Sequence, residues 1–168
     1  MAINETWLRE GEDRRAPAHP GYRLRHIPRP ARIRSLGGGV GFYIRRRLYS
    51  RRIHPPQALS VEQMRLSLSV SGYWLAVGTA YQPPWLSVET FLDAMTEAVS
   101  SFSMYDIVIL VGDFNIDLLS QNDANVKKFR AFLNCMNLKQ YVTGPTHFLI
   151  HTFRIPRYLE GSFNKTNS

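Results

Sequence analysis

The chain has 168 residues, 44% hydrophobic and 12% aromatic, which suffices for one domain with a real core and excludes a disordered chain by composition. The net charge is +8, and the single cysteine, Cys135, excludes an internal disulfide framework and a cysteine zinc site. No apolar run is long enough to cross a bilayer, and residues 1–10 lack the apolar core of a secretory signal, so a nuclear or cytoplasmic protein that is not secreted is expected.

Residues 2–8 suit a short strand. Residues 9–35 are rich in Arg, Pro and His without apolar period and read mostly as loop. Gly37-Gly38-Gly39 then opens a strand over residues 40–45, with Arg45-Arg46-Arg47 and Arg51-Arg52 at its end. Up to Arg52 there are 13 arginines against four acids, or +9, while the remainder carries eight Lys and Arg against nine acids, or −1. All the excess positive charge therefore lies in the first third. It suits either a polyanion partner such as nucleic acid or a loosely ordered basic segment with no specific partner.

In residues 61–70, Met64, Leu66, Leu68 and Val70 alternate with Arg65, Ser67 and Ser69, the period-two signature of a half-buried strand. Residues 73–81 follow Gly72 as its hairpin partner, and Pro83-Pro84 stops them. Residues 87–102 are helical by spacing, with Val88, Phe91, Leu92, Met95, Val99 and Phe102 on one face and Ser87 as N-cap. Residues 107–111 form a β-branched and leucine run suited to a strand buried on both faces. Asp123 caps a second helix with Val126, Phe129, Phe132, Leu133 and Met136 on its face. Cys135 reads as a small packing residue there. Residues 140–142 suggest one more strand, and beyond Phe153 the pattern is lost. Locally pairing strands with two helices give a mixed α/β protein.

Gly112-Asp113-Phe114-Asn115 follows the buried strand directly. A strand end holds a carboxylate firmly, so Asp113 could accept a proton from water while the Asn115 amide orients a phosphate or nucleophile. The same residues also suit an ordinary turn. Tyr81, at another strand end, either donates to a phosphate oxygen or closes its strand before the prolines. Glu5 is either a metal-binding carboxylate or a polar residue near a terminus. His147 and His151 are four apart, but in an extended segment with no third ligand nearby they suit surface or packing roles.

In chain order, Glu5-Thr6-Trp7-Leu8, Gly21-Tyr22, Gly37-Gly38-Gly39-Val40-Gly41, Val61-Glu62-Gln63, Tyr81-Gln82-Pro83-Pro84, Gly112-Asp113-Phe114-Asn115-Ile116-Asp117 and Gly144-Pro145-Thr146-His147 resemble the endonuclease/exonuclease/phosphatase family, in particular the endonuclease domain of non-LTR retrotransposons. The resemblance implies two mixed β-sheets packed as a sandwich with flanking helices, and magnesium-dependent cleavage of a phosphodiester in DNA. It gives Glu5 the role of metal-binding glutamate and Tyr81 that of the tyrosine contacting the scissile phosphate. Asp113 would activate or position the attacking water, and Asn115 would hold it and the phosphate. Gln82 stands where an arginine is common. On that pattern the domain is incomplete at both ends. Residues 1–153 form a partial domain that lacks the strand carrying a metal-site asparagine, and residues 154–168 form a divergent tail with Arg154 where an aspartate belongs and no Asp-His pair after it. Loss of those groups implies impaired catalysis.

Four readings follow. The first is an impaired endonuclease on this fold. The second is a non-catalytic remnant that holds the phosphate backbone of DNA or RNA with Arg45, Arg46, Arg47, Arg51 and Arg52. The third is a translated relic without a stable fold, and the fourth is a nuclease completed by another chain. No feature marks an obligate protein partner or a membrane.

Overall fold

A computed structural model describes residues 1–29, 37–54, 61–120 and 122–141 and the backbone of Phe153–Pro156. The small sheet has the order β1-β3-β2, formed by β1 (Ala2–Asn4), β3 (Val40–Arg45) and β2 (Tyr22–Ile27), all antiparallel. The larger sheet has the order β4-β5-β6-β7-β9-β8. Its strands are β4 (Ser50–Ile53), β5 (Glu62–Val70), β6 (Tyr73–Tyr81), β7 (Ile107–Asp113), β8 (Lys139–Gln140) and β9 (Phe153–Pro156). Helices α1 (Val88–Ser100) and α2 (Ala124–Cys135) touch each other and cover one face of the larger sheet. No helix among the described residues is long and apolar enough to cross a membrane.

Alternation along each strand builds the layers. Met64 and Leu66 of β5 meet Val40, Phe42 and Ile44 of β3 and Tyr81 of β6 between the sheets. The opposite face of β6 and β7, carrying Ala76, Ala80, Val108 and Leu110, meets Phe91, Met95, Val126 and Phe129 of the helices. The expected sandwich is therefore present. β5 and β6 join through Ser71 and Gly72, both at positive φ, as a tight two-residue hairpin requires. Ser87 caps α1 by accepting from the Thr90 N–H at 3.1 Å, and Asp123 caps α2 by accepting from the Asn125 N–H at 2.6 Å.

Several sequence expectations are corrected. Residues 22–27, read as loop, form β2. Its alternation is masked by Arg23 and Arg25, and Arg23 is used structurally, donating to the Leu48 carbonyl at 2.9 Å and Ser50 Oγ at 3.0 Å. Arg51 and Arg52 do not flank a strand but lie within β4, an edge strand. Residues 2–8 give a strand only as far as Asn4, because Glu5 and Trp7 turn to positive φ. Cys135, expected to pack, ends α2 exposed. Residues 154–156, assigned to an unpatterned tail, continue β9, where Arg154 pairs in register with Ile109 and Lys139. Residues 142–152, with the Gly144-Pro145-Thr146-His147 motif and the candidate histidines His147 and His151, lie outside the described residues, as do residues 157–168.

Among the described residues β1 has a strand neighbour on one side only. Beyond it, the side of β7 that faces the small sheet carries Ile107, Ile109 and Val111, all half-buried, while Val108 and Leu110 on the helix side are buried. Val111 at the end of this face packs against the cluster between the sheets, and β1 contacts β7.

Candidate active site

Parallel pairing sets the site. β6 and β7 run side by side with Tyr81 opposite Asp113, and antiparallel β5 places Glu62 opposite Tyr81. Asn4 ends β1 opposite Val40. The ends of β1, β6 and β7 thus form one rim.

Asn4 ties that rim together. With its amide oriented to match every partner, its oxygen accepts from the Asp113 backbone N–H at 2.6 Å, and its nitrogen donates to Thr79 Oγ1 at 2.9 Å and the Ile3 carbonyl at 3.2 Å. This fastens the end of β1 to the end of β7, so Glu5 leaves β1 beside Asp113. Glu5 then takes φ +52°, and Asn115 takes φ +47°. Among the described residues, three of the five non-glycine residues at positive φ (Glu5, Trp7 and Asn115) belong to this rim, the kind of local strain that a surrounding fold has to hold in place.

Gly112 is dictated by packing. A Cβ there would lie 2.0 Å from the Ala80 carbonyl oxygen, so any side chain would push β7 off β6. After it, the Asn115 backbone N–H donates to Asp113 Oδ1 at 3.1 Å, and Asn115 Nδ2 donates to the Gln82 carbonyl at 2.5 Å. The Gln82 N–H donates to the Asp113 carbonyl at 2.9 Å. The turn is real, and it also orients the site. Between Asp113 and Asn115, Phe114 points into the core, its ring centroid 5.2 Å from Phe91 and 5.8 Å from Phe129.

Burial pushes the Tyr81 phenol up to about 12, helped by its hydrogen bond to Glu5 and by the charges of Glu5 and Asp113, with Arg29 opposing. The phenol therefore stays protonated and can donate. Burial also raises Asp113, with the Glu5 charge adding to it and the Asn115 N–H opposing. An acid raised in the folded state loses stability as pH climbs from the ordinary carboxylate range through the folded value. Asp113→Asn, which keeps the oxygen that accepts from Asn115, is therefore expected to raise the thermal midpoint by roughly 1–3 °C at neutral pH in metal-free buffer. The gain should shrink as pH falls toward the ordinary carboxylate range. A lower midpoint for the variant at neutral pH would contradict the strained-carboxylate account.

Two residues behind the rim have no role that sequence reasoning assigns. Arg29 and Glu62 have side chains 5% and 3% exposed and form an ion pair, Arg29 Nε to Glu62 Oε1, at 2.5 Å. The second Glu62 oxygen accepts from the Gly39 N–H at 2.5 Å. The Arg29 guanidinium lies 5.9 Å from the Tyr81 ring centroid and 4.9 Å from that of Trp85. Glycine is needed at position 38 because a Cβ would meet the Arg29 side chain at 2.2 Å. Glu62 is visible in its motif, but Arg29 sits in a stretch without pattern.

Glu5, Tyr81, Asp113 and Asn115 are brought together, whereas the candidate arginines are not near them. β3 starts at the rim and ends at Arg45, roughly 17 Å away at the usual rise per residue. Arg46 and Arg47 follow in the turn, and Arg51 and Arg52 lie along the β4 edge. Arg45 donates to the Tyr22 hydroxyl at 3.2 Å.

The donor set suits magnesium. Two carboxylates, Glu5 and Asp113, converge closely enough for one charge to raise the other, a repulsion that a hard cation relieves, and magnesium needs only one or two carboxylates beside phosphate and water. Among the described residues no group of three or more His, Cys, Asp or Glu could hold a metal.

A model of the endonuclease/exonuclease/phosphatase family matches residues 1–159. No curated protein matches the chain by sequence. Among solved structures, the endonuclease domain of TRAS1, a telomere-specific non-LTR retrotransposon, aligns with TM-score 0.61 at 13% identity, over 77% of this chain and 66% of that one. The human Nocturnin catalytic domain aligns with TM-score 0.55 at 16% identity, over 80% of this chain and 60% of that one. A mannosyl-6-phosphatase of Bacteroides thetaiotaomicron aligns with TM-score 0.50 at 14% identity, over 82% and 64%. The chain spans less than two thirds of the length of each of these structures.

Proposed function

Because the chain belongs to the endonuclease/exonuclease/phosphatase family, we propose that it is a DNA-cleaving phosphodiesterase of the non-LTR retrotransposon type, with impaired turnover. The observation that carries this reading is the meeting of Glu5, Tyr81, Asp113 and Asn115 on one rim. Asp113 accepts a proton from the attacking water, and its raised affinity for protons suits that task. Asn115 holds water and phosphate through its amide, and the protonated Tyr81 donates to a phosphate oxygen. Glu5 would be the main ligand of a magnesium ion, which when bound would neutralise phosphate charge and lower the pKa of water. With Asp113 serving as base, Glu5 is the metal carboxylate proposed among the described residues, and a shell that thin would slow turnover. The expected compartment is the nucleus or cytoplasm.

The mannosyl-6-phosphatase shares the fold, so substrate class is the test. With magnesium, the chain should hydrolyse bis(p-nitrophenyl) phosphate measurably faster than p-nitrophenyl phosphate. Faster turnover of the monoester would overturn the phosphodiesterase reading.

A second reading, a basic nucleic-acid-binding remnant, draws support from the distance between Arg45, Arg46 and Arg47 and the rim. Its mark would be binding that weakens steeply with salt and ignores Asp113→Ala.

A further inference from the structure

We propose that a groove on the helix-facing side of the larger sheet, at the pole opposite the rim, is a second nucleic-acid site that takes single-stranded DNA or RNA. The groove is lined by Tyr49, Arg51, Arg52, His54, Trp74 and Tyr105, with Ile53, Ser67 and Met104 completing it, and encloses about 520 Å³. Trp74 lies seven positions before Tyr81 on β6, roughly 23 Å along the strand, so the groove is separate from the catalytic rim. This inference goes beyond the proposed hydrolysis and does not need it.

Three observations carry it. First, apolar exposure is concentrated here. Tyr49 is 68% exposed, Trp74 51% and Met104 81%, and Tyr73 and Val70 at the adjacent hairpin are 49% and 41% exposed. Single exposed apolar residues are ordinary, but a cluster marks a binding surface. Second, the charge beside the rings is uncompensated. Arg51 and Arg52 are exposed, and no ion pair holds either of them among the described residues. No acid lines the groove. Asp106, next to Tyr105, has its carboxylate turned to the Trp74 backbone N–H at 2.8 Å. Third, β4 and its approach put two arginines, Arg51 and Arg52, between two rings, Tyr49 and His54, along one edge of the groove.

Rings that offer stacking faces, interleaved with arginines, match a single strand whose bases are splayed and whose phosphates run past cations. A duplex hides its base faces and would meet only the arginines. The occupant is therefore a single strand.

The test measures binding of a fluorescently labelled twelve-nucleotide oligothymidylate in EDTA, so that no cleavage intervenes. Trp74→Ala should weaken binding about 10-fold, and Trp74→Phe should restore most of it, because stacking and not size is at stake. Arg51→Ala combined with Arg52→Ala should weaken binding and flatten its salt dependence by one to two units of the log–log slope, about 0.7 for each phosphate no longer neutralised. A duplex of the same length should compete poorly. Because this assay reads binding in EDTA and plasmid nicking reads cleavage in magnesium, a dead rim and an absent groove are distinguishable. Circular dichroism first establishes that each variant is folded, and half-exposed Trp74 leaves the core untouched. Equal affinity of wild type, Trp74→Ala and the double arginine variant would overturn the proposal. So would a duplex that binds as tightly as the single strand.

Discussion

Asp113→Ala should lower magnesium-dependent diester hydrolysis by about 10²–10⁴-fold, the usual contribution of a positioned general base. Three features make this residue the most sensitive. It ends the central strand β7 opposite Tyr81, its backbone N–H is fixed by Asn4, and its carboxylate accepts from the Asn115 N–H. Removing it takes away the base and also releases the Asn115 loop. Asn115→Ala should cost about 10²-fold by losing an orienting donor, and the double variant should be hardly worse than Asp113→Ala alone, since the two act as a unit. The fold should survive, because Asp113 is only partly buried and carries a charge that burial disfavours. Unchanged hydrolysis in Asp113→Ala would remove the rim from the chemistry.

The largest expected stability effect lies behind the rim. Arg29 and Glu62 are both nearly inaccessible and are held to each other and to the Gly39 N–H. Breaking a buried pair by removing one partner leaves the other charged and desolvated, at a cost of about 3–5 kcal/mol. Arg29→Met or Glu62→Gln should each lower the thermal midpoint by roughly 10 °C. Arg29→Met combined with Glu62→Gln should be less destabilising than the two single changes added together, because no isolated charge remains. Urea unfolding of the four proteins measures this directly. Single changes costing under about 1 kcal/mol would mean that the pair is hydrated and not part of the core. The same variants should loosen Tyr81, since Arg29 lies against its ring.

Much of the fold was legible where one periodicity ruled alone. The 3.6-residue spacing of Phe91, Leu92, Met95 and Val99 marks α1, and the alternation of Met64, Leu66 and Leu68 marks β5, but β5 is not the half-buried strand expected, because its polar face with Gln63, Arg65 and Ser67 is covered as well. β2 escaped because Arg23 and Arg25 occupy positions where an apolar side chain would have marked a face, and Arg23 instead bridges to Leu48 and Ser50 across the sandwich edge. β4 escaped for a similar reason, since its Arg51 and Arg52 are exposed on an edge strand. The rim was readable from strand ends. Tyr81 and Asp113 each close a strand, and parallel pairing puts them side by side. What linear order could not give was the support behind them. Asn4, Arg29 and Glu62 are brought together by contacts across 33 or more positions. Arg45, Arg46 and Arg47 were recognisable as a basic cluster, but only the direction of β3 reveals that they lie away from the rim.

The central claim is that this rim cleaves phosphodiesters in DNA, slowly. Its most direct test is a time course of supercoiled plasmid incubated with the folded wild-type chain, in magnesium and in EDTA, beside Asp113→Ala. Slow conversion to nicked circles in magnesium, stopped by EDTA and absent in the variant, is the predicted result. No nicking by a wild-type chain shown to be folded by circular dichroism, or equal nicking by Asp113→Ala, would contradict it.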